Sequence, residues 1–154
     1  MSFQNEPVKA AGFILFRRAP PEKEVEYLLL QAMSGRRYWS PPKGHNEPDE
    51  SIYETALRKT REETGFEPKS YRVIPEFNCD VNYNVSKKGI KRPKVVTFWC
   101  AEMIDHSSKV TISKEHQTFQ WLPLQEANKC LDKRSGFKEF QQCLEKCEVK
   151  IKDL

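Results

Sequence analysis

The sequence predicts an α/β sandwich formed as a single domain over residues 1–154, on three observations. Short apolar runs of strand length flank one helix pattern that starts in acids and stops at a glycine. Two further stretches near the C-terminus place their apolar residues at helical spacing. No repeat, linker or shift of composition marks a second domain, and 154 residues with 38% apolar and 31% charged content suit one soluble core.

The elements follow in chain order. Ala10 to Arg17 (AAGFILFR) and Val25 to Ala32 (VEYLLLQA) are short apolar runs joined by a charged loop at Pro20 and Pro21, and both are expected to be core strands. A glycine and arginine turn follows at Ser34 to Arg37. Trp39 to Gly44 is expected to be a proline-braced loop, since Pro41 and Pro42 fix their own backbone angles and restrict their neighbours. The helix opens at Asp49 or Glu50, where acids and the Ser51 hydroxyl satisfy free amides and the helix dipole, and it stops at Gly65.

Ile52, Ala56 and Lys59 or Thr60 share one side of that helix, and Thr55, Lys59, Glu62 and Glu63 recur at intervals of three and four. Glu54 stands four residues before Arg58, the spacing of a surface ion pair worth about 0.3–0.5 kcal/mol. Glu50 and Arg58 are too far apart for such a pair and are expected to brace the junction of loop and helix. Lys59 is expected to point to solvent. Downstream, Tyr71 to Ile74, Phe77 to Asn84 and Val95 to Met103 read as strands, with Val85 to Pro93 as a basic hairpin tip. One more strand is expected at Thr118 to Leu122, and helices at Leu124 to Leu131 and Phe137 to Val149 close the fold.

Glu62 and Glu63 fall at the helix C-terminus, where negative charge opposes the dipole by a few tenths of a kcal/mol each. A bound cation offsets that cost. A glycine entry at Gly44, an acidic helix start and this carboxylate pair together describe a divalent-metal site for phosphate chemistry, because Mg2+ takes oxygen ligands and keeps waters. Lys43, between two prolines and that glycine, is placed to contact a phosphate oxygen. The net charge of +4 is concentrated in Lys87, Lys88, Lys91, Arg92 and Lys94, which form either a solvated hairpin or a patch that steers a substrate of about four negative charges. Tyr38, Tyr83 and Phe137 are flat rings in or beside loops, suited to stacking on a base at about 1–3 kcal/mol. His45 contacts substrate or makes a structural hydrogen bond, His116 orients Glu115 or lies on the surface, and Trp39 and Trp99 are expected to pack.

The segment Gly44 to Phe66, GHNEPDESIYETALRKTREETGF, resembles the Nudix box G-x5-E-x7-R-E-U-x-E-E-x-G-U, in which U is apolar. It matches at Gly44, Glu50, Arg58, Glu62, Glu63, Gly65 and Phe66, and departs at Lys59, which replaces a glutamate, and at Thr60, which replaces an apolar residue. Six fixed identities at set spacing arise by chance about once in 10^7 windows. WSPPKGH from Trp39 to His45, NYN around Tyr83, RPK from Arg92 to Lys94, FW at Phe98 and Trp99, and SKEHQ from Ser113 to Gln117 resemble the animal-type asymmetrical bis(5'-nucleosyl)-tetraphosphatases within that family.

The resemblance implies a Nudix-type α/β/α sandwich with a mixed central sheet and helices on both sides. It implies hydrolysis of diadenosine tetraphosphate to ATP and AMP with Mg2+ or Mn2+. By position in the box, Glu63 is the principal metal ligand, Glu62 binds a second ion or acts through water, and the Gly44 carbonyl completes the set. Glu115 is brought to the same metal cluster, and Tyr83 corresponds to an adenine-binding tyrosine. With Lys59 protonated at its ordinary pKa near 10.4, the proton acceptor falls to Glu115 or Glu62, or the metals alone lower the pKa of the water enough. Lys43, Lys94, Tyr38 and His45 complete the expected substrate contacts. Nucleotide-capped RNA 5' ends and inositol pyrophosphates are alternative substrates, and a silent Nudix-fold binding module is the alternative of another class.

No run approaches the roughly 18 apolar residues of a membrane span, and the start MSFQNEPVKAAG lacks the layout of a signal peptide. A cytoplasmic monomer with no membrane partner is expected, with the nucleus as a second compartment. The cysteines are five, Cys79, Cys100, Cys130, Cys143 and Cys147, with no CxxC spacing, so neither a disulfide framework nor a zinc site is expected, and Cys100 reads as core.

Overall fold

The computed structural model describes residues 6–19, 24–34, 37–131 and 136–154. The first apolar run becomes strand β1 (Val8–Ala19), and its continuous apolar character has a direct cause. Ala10, Ile14 and Phe16 face one buried cluster while Ala11, Phe13 and Leu15 face another, so both sides of the strand are covered. Strand β2 (Glu24–Ala32) pairs antiparallel with β1, with Phe16 opposite Tyr27. The Pro20 and Pro21 loop, and part of the turn at Ser34 to Arg37, lie outside the described residues.

The expected loop at Trp39 to Gly44 folds instead as two short strands, β3 (Trp39–Ser40) and β4 (Lys43–His45). Pro41 and Pro42 stand between them, where the missing amides interrupt no ladder. β3 pairs with β2, and β4 pairs with β1, with Gly44 opposite Ala11. The two strands expected at Tyr71 to Ile74 and Phe77 to Asn84 are one strand, β5 (Tyr71–Lys87), broken only by a shift of register between Val73 and Asn78. β6 (Ile90–Met103) returns antiparallel to β5 and runs parallel to β1, and β7 (His116–Leu122) pairs with β2. The order β3-β2-β1-β6-β5, with β4 on β1 and β7 on β2, is the expected mixed sheet.

Helix α1 (Ile52–Thr64) covers one face, with Ala56 and Phe66 packed among Ala11, Phe13 and Leu15. Helices α2 (Leu124–Cys130) and α3 (Phe137–Lys152) cover the other through Ala127, Leu144 and Ile151. The sandwich is complete. No helix among the described residues is long and apolar enough to cross a membrane.

Ser51 caps α1: its hydroxyl accepts from the Glu54 amide at 3.1 Å, and the Glu54 carboxylate accepts from the Ser51 amide at 2.8 Å. Glu54 is therefore committed to the cap and not to the expected pair with Arg58. Gly65 ends the helix at φ 80°, and its amide donates to the Arg61 carbonyl at 2.9 Å. Ser51→Ala is expected to lower unfolding free energy by about 1 kcal/mol, read as a lower urea midpoint at unchanged slope.

The cysteines depart from expectation. Cys79 on β5 bonds to Cys143, and Cys100 on β6 bonds to Cys147, with Cα atoms 6.0 and 6.5 Å apart. Cys143 and Cys147, one turn apart on α3, lie against the inward face of the sheet. Their partners are 64 and 47 residues distant in sequence, so no local spacing reveals the pairs.

Candidate active site

The site is assembled where β4 is pressed between β1 and α1. Gly12 on β1 stands opposite Lys43, and a Cβ at Gly12 would overlap the Pro42 carbonyl oxygen and lie 2.9 Å from the Lys43 Cβ. Only glycine allows β4 this close approach. The Lys43 amide then donates to Glu63 Oε1 at 3.0 Å. Glu63 is 4% exposed, and its burial pushes its pKa up to about 7 against the pull of the Lys43 amide and the charges of Lys59 and Lys43, with Glu115 adding to the rise.

Arg58 organises the acids around this point. It donates through Nε to Glu50 Oε2 at 3.0 Å, through Nη2 to Glu50 Oε1 at 2.6 Å and to the His45 carbonyl at 3.0 Å, and through Nη1 to Glu62 Oε2 at 3.1 Å. The Glu50–Arg58 contact is direct, although helix spacing argued against a pair. Glu50 precedes α1, and the approach to the helix brings its carboxylate to the guanidinium, which braces the junction as expected. Hydrogen bonds from Arg58 and then Thr55 hold Glu50 down to about 2. Burial alone would raise Glu62, but Lys59 and Arg58 outweigh it and hold the carboxyl below its ordinary value.

Lys59 does not point to solvent. Its side chain is 15% exposed, and its Nζ lies 3.1 Å from Glu62 Oε1 and 3.7 Å from Glu63 Oε2. Glu115, in the turn before β7, lines the same cavity as Gly44, Lys59 and Glu63. Its carbonyl accepts from the Met33 amide at 2.8 Å, which ties the turn to the end of β2. His116, half-buried, has its Nδ1 3.3 Å from the Ser113 hydroxyl, so the ring is held by Ser113. His45 lines the same cavity, and its carbonyl is the one held by Arg58.

A buried carboxylate raised by desolvation, with a second acid in the same cavity and a further one a residue away, suits a hard cation. The donors are carboxylate and carbonyl oxygens, the kind Mg2+ and Mn2+ take. Among the described residues no three acid, histidine or cysteine side chains converge as a preformed metal cluster; the site offers oxygen donors of the right kind, with the Lys59 ammonium held beside Glu62 and Glu63.

A cavity of about 790 Å³, bordered by Glu47, Glu63 and Glu115 together with Lys43, Arg58, Lys59, Lys94 and Lys114, adjoins one of about 320 Å³ walled by Tyr38, Trp39, Tyr83, Leu131 and Phe140. Tyr38, Ser40, Lys43 and Lys94 line both. Burial lowers the Lys43 ammonium, and burial followed by repulsion from Lys43 lowers Lys94 to about 8. Lys94 Nζ lies 5.7 Å from the Tyr83 ring centroid, and a Cβ at Gly136 would come within 2.9 Å of that ring. Among the described side chains of the basic cluster, Lys94 reaches the cavity, while Lys88 and Lys91 are exposed on the hairpin and Arg92 donates to the Glu6 carbonyl at 3.3 Å.

Phe137 packs against the core, and it is Phe140, three residues on, that walls the cavity; Phe140 also meets Phe98 at 5.4 Å between centroids. Both rings lie at helical spacing, which does not tell which one the cavity reaches. Trp39 packs as expected and also lines the cavity. Gly12 was overlooked, although a glycine inside an apolar strand run signals close backbone approach.

The NUDIX domain model matches residues 7–142. The chain is 42% identical over 142 residues to the bis(5'-nucleosyl)-tetraphosphatase [asymmetrical] of Mus musculus, spanning 90% of this chain and 91% of that protein. It is 44% identical over 124 residues to the protein of the same name from Rattus norvegicus, spanning 78% and 82%. The crystal structure of a C. elegans Ap4A hydrolase binary complex superposes with a TM-score of 0.81 at 31% identity, over 96% of this chain and 99% of that one.

Proposed function

The chain belongs to the NUDIX family, and from that premise we propose that it hydrolyses diadenosine tetraphosphate asymmetrically, adding water across a phosphoanhydride to give ATP and AMP. The observation that carries this reading is the continuity of the two cavities. A space lined by both carboxylates and cationic side chains, suited to phosphate chemistry, meets an aromatic-walled space suited to a nucleoside, and Lys43 and Lys94 belong to both. Nothing else in the site requires that pairing.

Lys43 and Lys94 hold the bridging phosphates, and their positive charge draws the polyphosphate in from solution. Tyr83, with Tyr38 and Phe140 beside it, receives one adenine, while the second nucleoside extends toward the larger cavity, where His45 contacts it. Glu62, Glu63, Glu115 and the Gly44 carbonyl would hold the divalent ion, Mg2+ or Mn2+. When bound, that ion neutralises charge at the attacked phosphorus and lowers the pKa of water. Glu115 accepts the proton of the attacking water, since Glu62 is committed to Arg58 and Lys59. Arg58 acts at one remove, keeping Glu62 and the His45 backbone in place.

Incubation with diadenosine tetraphosphate and Mg2+ in oxygen-18 water, followed by mass analysis, tests the assignment. ATP and AMP are expected, with label in one of them. Two molecules of ADP would overturn the asymmetry, and an intact substrate beside cleaved capped RNA or inositol pyrophosphate would overturn the substrate class. Tyr83→Ala is expected to raise KM about 10- to 100-fold with a smaller change in kcat, since stacking on a base contributes about 1–3 kcal/mol to binding. An unchanged KM would remove the adenine from this wall.

A further inference from the structure

Lys59 stands at a box position where the family pattern has an acid, and its placement is that of a built-in part rather than a surface group. Its stem crosses the bare face of Gly44: a Cβ there would overlap the Lys59 Cε and lie 2.6 Å from Cδ and 2.9 Å from Cγ. The glycine thus serves as the bed of the lysine stem. The ammonium at the end of that stem bridges two carboxylates, at 3.1 Å from Glu62 Oε1 and 3.7 Å from Glu63 Oε2.

An ordinary helix-surface lysine pairs loosely, because holding a long side chain in one rotamer carries an entropy cost that a solvated ion pair barely offsets. Here the side chain is 15% exposed, and of its two acids Glu63 is nearly fully buried while Glu62 is 47% exposed. Packing over Gly44 has already restricted the rotamers, so little entropy is left to lose in holding the ammonium between the two acids. A divalent ion seated on the same two acids would meet a like charge tethered within a few ångströms, and the lysine cannot retreat without emptying the groove over Gly44.

We infer that the Lys59 ammonium is a resident cation that fills one of the cation positions offered by Glu62 and Glu63, so that the natural site takes one divalent ion fewer than its acids would otherwise hold. The inference rests on the assignment of those two glutamates to the metal site. It makes the charge that faces the polyphosphate partly covalent to the chain and independent of free metal concentration.

The test counts ions instead of turnover. Metal-free full-length protein is titrated with Mn2+, and bound ions per chain are obtained from the electron paramagnetic resonance signal of the free ion. Lys59→Met and Lys59→Gln both keep an unbranched stem over Gly44 and remove the charge, so one can stand in should the other fold poorly. Both are expected to bind one more Mn2+ per chain than the natural protein, and Lys59→Arg, which keeps the charge, is expected to match the natural count. Equal counts and equal dissociation constants in all of these proteins would overturn the inference. Glu63→Gln separates the two layers of argument. Loss of Mn2+ in that variant upholds the metal site whatever Lys59 does, whereas undiminished binding removes the metal assignment and the role of Lys59 with it.

Discussion

Glu63→Gln is expected to lower kcat by about 1,000-fold or more, because several kcal/mol of charge stabilisation depend on the metal this carboxylate holds, and each 1.36 kcal/mol is a factor of ten in rate. The substitution preserves shape. Glutamine still offers an oxygen to the Lys43 amide, so the contact that seats β4 on α1 survives and the fold is retained. Metal-free stability should move in the opposite direction to activity. The Glu63 carboxyl is raised in the folded state to about 7, mainly by burial, so between its ordinary value near 4.5 and about 7 the folded chain binds more proton than the unfolded one. Stability of the metal-free natural protein is then highest below pH 4.5, as far as this group is concerned, and declines as pH rises through that window. Glu63→Gln lacks this decline. Urea unfolding in chelator at pH 5 and pH 8 measures it: the variant should gain on the natural protein at the higher pH. A variant that retained near-normal turnover would remove Glu63 from the metal site.

Gly12→Ala is expected to produce the second large effect, from a position that touches neither substrate nor acid. The added methyl would overlap the Pro42 carbonyl oxygen, which belongs to backbone and has no rotamer through which to escape. β4 must lift from β1, carrying Lys43 and Gly44 with it and loosening the Lys43 amide from Glu63. Overpacking of this kind destabilises by about 1–3 kcal/mol. A displacement of about 1 Å at the reacting groups lowers turnover about 100-fold. Thermal unfolding and steady-state kinetics on one preparation would show both losses together. Gly89→Asn is the matched control, since Gly89 sits in an open hairpin turn at φ 77°, where asparagine is tolerated and a Cβ meets nothing within 4 Å. Equal behaviour of the two variants would show that the seat of β4 is not critical.

Much of the site was legible in the chain because the box is local. Gly44, Glu62 and Glu63 belong to one loop and one helix, and the helix boundaries follow from side chains next to them, Ser51 and Glu54 at the start and Gly65 at the end. Lys43, Lys94, Tyr38, Tyr83, His45 and Glu115 all line one or both of the two cavities, although nothing local brings the last of these to the first. Phe140 was less accessible, since helical spacing shows which residues turn inward but not which of them stops short of the core and borders a cavity. Two expectations failed for one reason. Lys59 and the cysteines were judged by composition and spacing, whereas their partners were chosen by packing: the bare face of Gly44 for the lysine stem, and the inward faces of β5 and β6 for Cys143 and Cys147.

The sequence by itself determined the family and the class of fold, because each of these depends on residue type and on spacing within a single turn, loop or strand. Only the tertiary structure decided how tightly β4 seats on β1, which lysines border both cavities, and what stands between Glu62 and Glu63. Those depend on how closely segments distant in the chain approach one another, and that distance is set by the bulk of side chains, or its absence at Gly12 and Gly44, where the sheet and the helix meet.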